Sequence, residues 1–415
     1  MNGIAIVADD LTGALDAAVP FAAPGMRVSV ALEPGAASKD ADASASCVES
    51  RHLTAAAAYE VVRDALEAAR SSGARVLFKK ADSALRGNIG AELEALRDAS
   101  GAEVIHFVPA FPAAGRVTRG GIQLVKGVPV AESPFGQDPL NPVTHSDIAQ
   151  IIAMQSDLPV AVVPTGSSLP AGFRGIAVYD AADQEDIDAI AASLLARDEP
   201  LAMAGSSGLS RAIAGALGAR CASEVPGCSD SLLVMCGSGN PASRAQCAHA
   251  RAVASGVEVP QSAMTDTSWL EGAGYPAFKR TVAQACSHGG PLVLIDASAP
   301  VPASAAAQLG IAASELRTRI SDQLGSLFSR LTREIRPSAV MVMGGDALAA
   351  YLRDLGIVAL EPFAEPAPGV VASRVSVDGH GMVLVSKSGA FGDERLFADL
   401  AELLSGKSLR ATAAA

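Results

Sequence analysis

Ile4-Ala5-Ile6-Val7-Ala8-Asp9-Asp10-Leu11-Thr12-Gly13-Ala14-Leu15-Asp16 is the stretch that decides the fold. Five apolar residues in a row suit a short strand buried on both faces. Two carboxylates interrupt the run. Residues 11–23 then read as a helix, with Pro20 as its kink or stop. A buried strand passing through a short polar turn into a helix is the opening unit of an α/β domain. In such sheets ligands gather beyond the carboxyl ends of the strands, which is where Asp9 and Asp10 fall.

The same alternation continues outward from this unit. Further strands are expected at 75–78, 104–108, 160–163, 232–235, 292–295, 339–343 and 382–385. Helices are expected at 54–70, 88–98, 146–154, 183–196 and 313–335, where apolar residues recur on one face. The stretch 109–142 lacks periodicity and is rich in Gly and Pro, which predicts a functional loop. Residues 224–230 are polar, with Pro and Gly, and read as a linker. A chain of 415 residues suits two domains, which places them at 1–228 and 229–415. The expected class is α/β, two domains with parallel-rich sheets; the tail 412–415 is expected to fray.

Composition narrows the function classes. Hydrophobic residues make up 49% of the chain and aromatics 4%, so the cores rest on Ala, Val, Leu and Ile. A net charge of -12 argues against nucleic acid as a partner, though a local basic pocket can still take a small anion. The six Cys form no CxxC pair, and the six His show no ligand spacing, so a zinc cluster is not expected. Free thiols, no leader and no 20-residue apolar run point to a cytoplasmic protein with no membrane partner.

Three polar constellations follow strands in the first half. Asp9 and Asp10 could bind substrate hydroxyls or act as a base, while Asp10 also suits a helix N-cap. Lys79-Lys80-Ala81-Asp82-Ser83-Ala84-Leu85-Arg86 is more polar than a connecting loop requires. Arg86 could grip a carboxylate and Asp82 could accept a proton, against the plainer reading of a solvated loop. Arg116, after the turn Pro109–Gly115, is a second anion ligand candidate. The second half carries three glycine-rich turns: 236–241, 344–347 and 387–392. Each alone is an ordinary tight turn. Three in one domain, with Lys387 beside them, favour a nucleotide.

These motifs resemble the four-carbon acid sugar kinase family. The likeness runs in order through ADDLTGALD (8–16), KKADSALRGNIGAEL (79–93), PAFPAAGRVTRGG (109–121), GVPVAESPFGQDPLNPV (127–143), GSGNPAS (237–243), MGGDAL (343–348) and KSGAFG (387–392). Ala84 replaces the family's usual Thr, and Ser243 replaces a Thr in the first nucleotide turn. The resemblance implies ATP-dependent phosphorylation of threonate, erythronate or a 3-oxo-tetronate, usually at the terminal hydroxyl. It implies ATP at Ser238, Gly344, Gly345, Asp346, Ala347 and Gly389, with Lys387 and Mg2+ at the phosphates. It places the acid sugar at Asp10, Asp82, Ser83 and Arg86, and the loop reading adds Asp9, Lys80 and Arg116. Asp82 is the first choice of base and Asp10 the second, with the site in a cleft between the domains. A homodimer is compatible with the resemblance. The competing readings are a non-catalytic sugar-acid and nucleotide binder, and a nucleotide-linked dehydrogenase.

Overall fold

The run that opens the chain forms β1 (Ile4–Ala8), with every residue buried. The computed structural model describes residues 3–33, 40–138, 141–197, 199–225, 227, 231–288, 290–302, 304–389 and 391–405. They divide into two units, Met1–Cys221 and Ala222–Ala415. No described helix is long and apolar enough to cross a membrane.

In the first unit, β1 is followed by β2 (Val28–Ala31), β3 (Ala43–Cys47), β4 (Val76–Lys80) and β5 (Val104–Val108). Then come β6 (Arg116–Arg119), β7 (Ile122–Val125), β8 (Val128–Pro129), β9 (Val160–Val163), β10 (Gly175–Tyr179) and β11 (Leu201–Gly205). Its main sheet runs β2-β3-β1-β4-β11-β5-β10-β9, all parallel. The helices are α1 (Leu11–Ala18), α2 (Ala55–Ser71), α3 (Ile89–Ser100), α4 (Ile148–Ala153), α5 (Gln184–Leu195) and α6 (Ser207–Ala216). Their starts follow from capping: the side chains of Asp10, Thr54 and Asp183 accept the Gly13, Ala57 and Asp186 amides. Pro20 ends α1 in a tight 3-10 turn, Val19–Phe21. Ala58, Val62, Ala65 and Leu66 make the buried stripe of α2, and the last three join Val7, Leu77, Leu93 and Phe107 in one core.

The stretch 109–142 differs from the expected loop. Strands β6, β7 and β8 pair antiparallel into a small sheet of their own. The Thr118 amide donates to the Ala181 carbonyl (3.0 Å), and Thr118 accepts from Ala181 in return (3.0 Å), tying that sheet to the end of β10. Within the main sheet β2, β3, β10 and β11 were not expected; each carries at least two Ala, Ser or Gly residues in four or five, which thins the apolar signal.

The second unit holds β12 (Leu232–Cys236), β13 (Ser255–Glu258), β14 (Leu292–Asp296), β15 (Ala339–Met343), β16 (Ala359–Ala367), β17 (Val370–Val377) and β18 (His380–Lys387). They run β13-β14-β12-β15-β18-β17-β16, parallel as far as β18 and antiparallel beyond it. Its helices are α7 (Pro241–Val253), α8 (Gln261–Thr265), α9 (Gly274–Ser287), α10 (Ser304–Leu309), α11 (Ala313–Ile335), α12 (Gly345–Leu355) and α13 (Leu396–Leu404). The Glu365 amide donates to the Ala222 carbonyl (2.9 Å), which draws the chain onto this unit a few residues before position 228. Residues 226 and 228–230 of the expected linker, and the tail 412–415, lie outside the described residues.

Candidate active site

In the first unit the polar loops leave the carboxyl ends of β3, β1, β4 and β5. Asp9 and Asp10 emerge side by side from β1. Arg51, just after β3, donates from Nε and Nη2 to Asp9 Oδ2, both at 2.7 Å, and pairs through Nη1 with Asp10 Oδ2. The other oxygen of Asp10 accepts the Gly13 amide at 2.6 Å. A methyl group at Gly13 would stand 2.4 Å from that oxygen and 3.2 Å from Lys80 Nζ, so this turn tolerates only glycine. Burial pushes the Asp9 carboxyl up, but Arg51, Lys79 and Lys80 together outweigh it and hold the group below its ordinary value. Asp9 Oδ1 is buried and has no hydrogen-bond partner among the described residues.

The loop after β4 is anchored from beneath. Lys79 Nζ lies 2.8 Å from Glu92 Oε2 and donates to the Lys80 carbonyl (2.7 Å), while Ser50 Oγ donates to Glu92 Oε1 (2.5 Å). Burial pushes the Glu92 carboxyl up. Lys80 Nζ donates to the Ala81 carbonyl at 2.9 Å. Asp82 accepts from Arg86 Nε (2.7 Å), Nη2 (3.2 Å) and its backbone amide (3.2 Å). Burial opposes ionisation of Asp82, yet Arg86, Arg51 and Arg116 hold its carboxyl far below the usual range. Arg86 Nη1 also reaches Asp138 Oδ2 at 3.4 Å. Ser83 is buried, and its carbonyl accepts from Gln123 Nε2 (2.7 Å), whose Oε1 takes the Thr118 hydroxyl (2.7 Å). The small sheet therefore braces this loop. Ala84 is 0% exposed and packs into the apolar core, so the methyl that replaces the expected hydroxyl faces inward.

Arg116 opens β6. Its guanidinium lies 5.2 Å from the Phe135 ring centroid, the same distance as that of Arg86. Burial pushes its pKa down, and its Nε is buried without a partner among the described residues. Arg51 is committed to Asp9 and Asp10, Arg86 to Asp82 and Asp138, and Lys79 to Glu92. Arg116 forms no ion pair with any described residue.

In the second unit β12, β15 and β18 are neighbours, and each ends in one of the glycine-rich turns. The Gly237 amide donates to the Met343 carbonyl (2.9 Å). A Cβ on Gly237 would approach Ala347 Cβ to 2.9 Å, and one on Gly344, at φ 102°, would approach the Gly237 carbonyl to 3.2 Å. Two turns therefore lie backbone against backbone. Asn240 caps α7 by accepting the Ala242 amide (2.9 Å), next to Ser238, whose Oγ lies 3.4 Å from the Asn240 amide. No side chain caps α12, where Gly345 and Asp346 are exposed, so its first N–H groups face outward. Lys387 is buried and donates through Nζ to the Gly389 carbonyl and to that of Phe391 (3.2 Å). Burial pushes its pKa down to about 8. Gln246, from α7, points Nε2 at the carbonyls of Phe391 (3.1 Å), Gly392 (3.0 Å) and Asp393 (2.9 Å). Ala390 lies outside the described residues.

Residues 4–213 match the model of a sugar-binding N-terminal domain, and 233–397 that of a nucleotide-binding C-terminal domain. A D-threonate kinase of Salmonella typhimurium (strain LT2) is 30% identical, covering 95% of this chain and 96% of its own. The chain belongs to the four-carbon acid sugar kinase family. A 3-oxo-tetronate kinase of Methylobacterium radiotolerans is 31% identical, over 94% of this chain and 96% of its own. A crystal structure from Salmonella typhimurium LT2, named there as a candidate tRNA synthase, superposes with a TM-score of 0.79 at 26% identity, over 96% of this chain and 98% of that one.

In this kinase family member the structure gathers Asp9, Asp10, Lys80, Asp82, Ser83, Arg86 and Arg116 on the first unit. It gathers Ser238, Gly344, Gly345, Asp346, Ala347, Lys387 and Gly389 on the second. Sequence reasoning missed Arg51, Glu92, Phe135 and Asp138 in the first group and Gln246 in the second. Arg51 follows a strand of sequence ASASC, which gave no apolar run to mark it. Phe135 and Asp138 stood inside the quoted stretch 127–143 without a role.

Proposed function

We propose that this kinase uses ATP to phosphorylate the terminal hydroxyl of a four-carbon acid sugar, with threonate, erythronate and 3-oxo-tetronate as the substrate class. The observation that carries the substrate half is Arg116, a half-buried guanidinium whose buried Nε lacks a hydrogen-bond partner and which forms no ion pair among the described residues, beside carboxylates suited to hydroxyl groups. A buried N–H without an acceptor is costly, and a substrate carboxylate relieves that cost. Arg86 flanks the same Phe135 ring but spends its fork on Asp82 and Asp138, so it braces the anchor rather than supplying it.

Anchoring the acid end presents the opposite hydroxyl for transfer. Asp10, the most exposed of the three site carboxylates at 28% for its side chain, orients that hydroxyl and takes its proton. Asp82, bound by three Arg86 donors, positions Arg86. A loose phosphoryl-transfer transition state demands little basicity of the acceptor, so an ionised Asp10 suffices.

The three turns of the second unit suit a triphosphate. Beyond the turns themselves, no described atom lies within 4 Å of where a Cβ on Gly345 or Gly389 would stand, the uncapped α12 amides carry partial positive charge, and Lys387 adds an ammonium held by the Gly389 and Phe391 carbonyls. Asp346 and Asp393, exposed at two of these turns, are the carboxylates that would meet a phosphate-bound Mg2+. The metal supplies charge neutralisation at the phosphate oxygens.

Coupled detection of ADP across tetronates, their epimers, 3-oxo-tetronates and neutral tetritols, with and without Mg2+, tests this function. Saturable, Mg2+-dependent ADP release with an acid sugar and none with tetritols is expected. Equal release with tetritols, or none with any acid sugar from folded protein, overturns it.

A further inference from the structure

We propose that Cys236, Cys247 and Asp296 form a binding site for a soft d10 cation, Zn2+ or Cd2+, beneath the first glycine-rich turn. The two Sγ atoms and a carboxylate oxygen of Asp296 all lie within 4.8 Å of one another. Ligand atoms around one tetrahedral zinc stand about 3.4–3.8 Å apart, given Zn–S near 2.3 Å and Zn–O near 2.1 Å. Small side-chain adjustments close that difference.

The donors sit on rigid elements. Cys236 ends β12, Asp296 ends the adjacent β14, and the two face each other in register. Cys247 projects from α7 onto the same ends of the sheet. All three are almost wholly buried, at 0%, 2% and 1% exposure for Cys236, Asp296 and Cys247. The carboxylate is already oriented: the Ser298 amide donates to Oδ1 (2.8 Å) and Arg251 Nη2 to Oδ2 (2.5 Å). Metal-binding carboxylates are held by such outer partners. Two thiolates and a carboxylate with a divalent ion leave one negative charge, which Arg251 and the nearby Lys387 offset. Thiolate donors select zinc and cadmium over magnesium, so this site is distinct in chemistry from the one that serves a phosphate-bound ion. Cys236 leads directly into Gly237-Ser238, so a bound ion would fix the root of that turn.

Cadmium titration of the full, chelator-treated and reduced chain tests the site through the thiolate-to-cadmium charge-transfer absorption. One equivalent per chain is expected to saturate the band and raise the melting temperature. Cys247→Ser removes both effects, Asp296→Asn weakens the affinity at least about tenfold, and Cys47→Ser, in the other unit, changes neither. The parent protein loaded with Zn2+ gives a check that needs no variant: X-ray absorption at the zinc edge should show two sulfur neighbours at about 2.3 Å. Absence of the band, its persistence in Cys247→Ser, fewer than two sulfur neighbours, or oxidation of the pair to a disulfide in place of uptake overturns the proposal.

Discussion

The two units hold their polar groups by opposite means. The first fills the loop ends of its sheet with charged side chains, nearly all of them paired: Arg51 with Asp9 and Asp10, Arg86 with Asp82 and Asp138, Lys79 with Glu92. The second presents bare backbone at three adjacent turns and keeps one lysine and one glutamine behind them. A small, stereochemically distinct acid sugar calls for directional side chains. A triphosphate, with many equivalent oxygens, is served by helix starts and peptide N–H groups. The difference predicts that variants in one unit should alter one ligand's parameters and leave the other's alone.

The largest effect tests the first unit. Asp10→Asn should lower kcat by about 10²- to 10⁴-fold while nucleotide affinity, measured by direct titration, stays at the parental value. A near-parental kcat returns the proton-accepting role to Asp82. Arg116→Met comes next: kcat/KM for the acid sugar should fall by about 10- to 150-fold, the value of a charged hydrogen-bond pair. The unliganded protein should melt no lower than the parent, because an unsatisfied buried N–H has been removed. A large loss of stability would show Arg116 to be a structural brace.

Smaller effects test the second unit. Gln246→Leu removes the amide that gathers the carbonyls of Phe391, Gly392 and Asp393, and should raise KM for ATP about fivefold with KM for the acid sugar unchanged. The pH profile gives the smallest expected change. Lys387 has its pKa pushed down to about 8 by burial, so its ammonium is lost as pH rises through that value, and KM for ATP should rise up to about fivefold between pH 7 and 9.5. Lys387→Arg, charged throughout, should flatten the profile. The stability effect has the opposite sense. The unfolded lysine keeps its proton to higher pH than the folded one, so this group's contribution to stability increases from about 8 towards the ordinary 10.5.

Much of the scaffold was legible because its strands are continuous apolar runs, such as β1, β12 and β15, and because the amphipathic stripe of α11 is long. Turns placed directly after such strands marked both groups of site residues. Strands made of small residues were silent, and with β3 unrecognised the loop carrying Arg51 had no anchor in the sheet. The partner of Arg86 was also obscured: Asp82 lies four residues before it, which fits an internal pair as well as two separate ligand contacts. Gln246 lies mid-helix, and only the packing of α7 over residues 391–393 gives its side chain a task. The Ala84 substitution removes a hydroxyl that could contact substrate or cap the helix, whereas the methyl that stands there lies in the core.

Hydrogen exchange with each ligand added separately tests the assignment of one ligand to each unit most directly. A non-hydrolysable ATP analogue with Mg2+ should protect peptides spanning 236–240, 343–348 and 387–392, while a substrate acid sugar should protect those spanning 9–13, 50–52, 80–88 and 116–119. Protection of 9–13 and 80–88 by the nucleotide alone, with 343–348 unaffected, would contradict it.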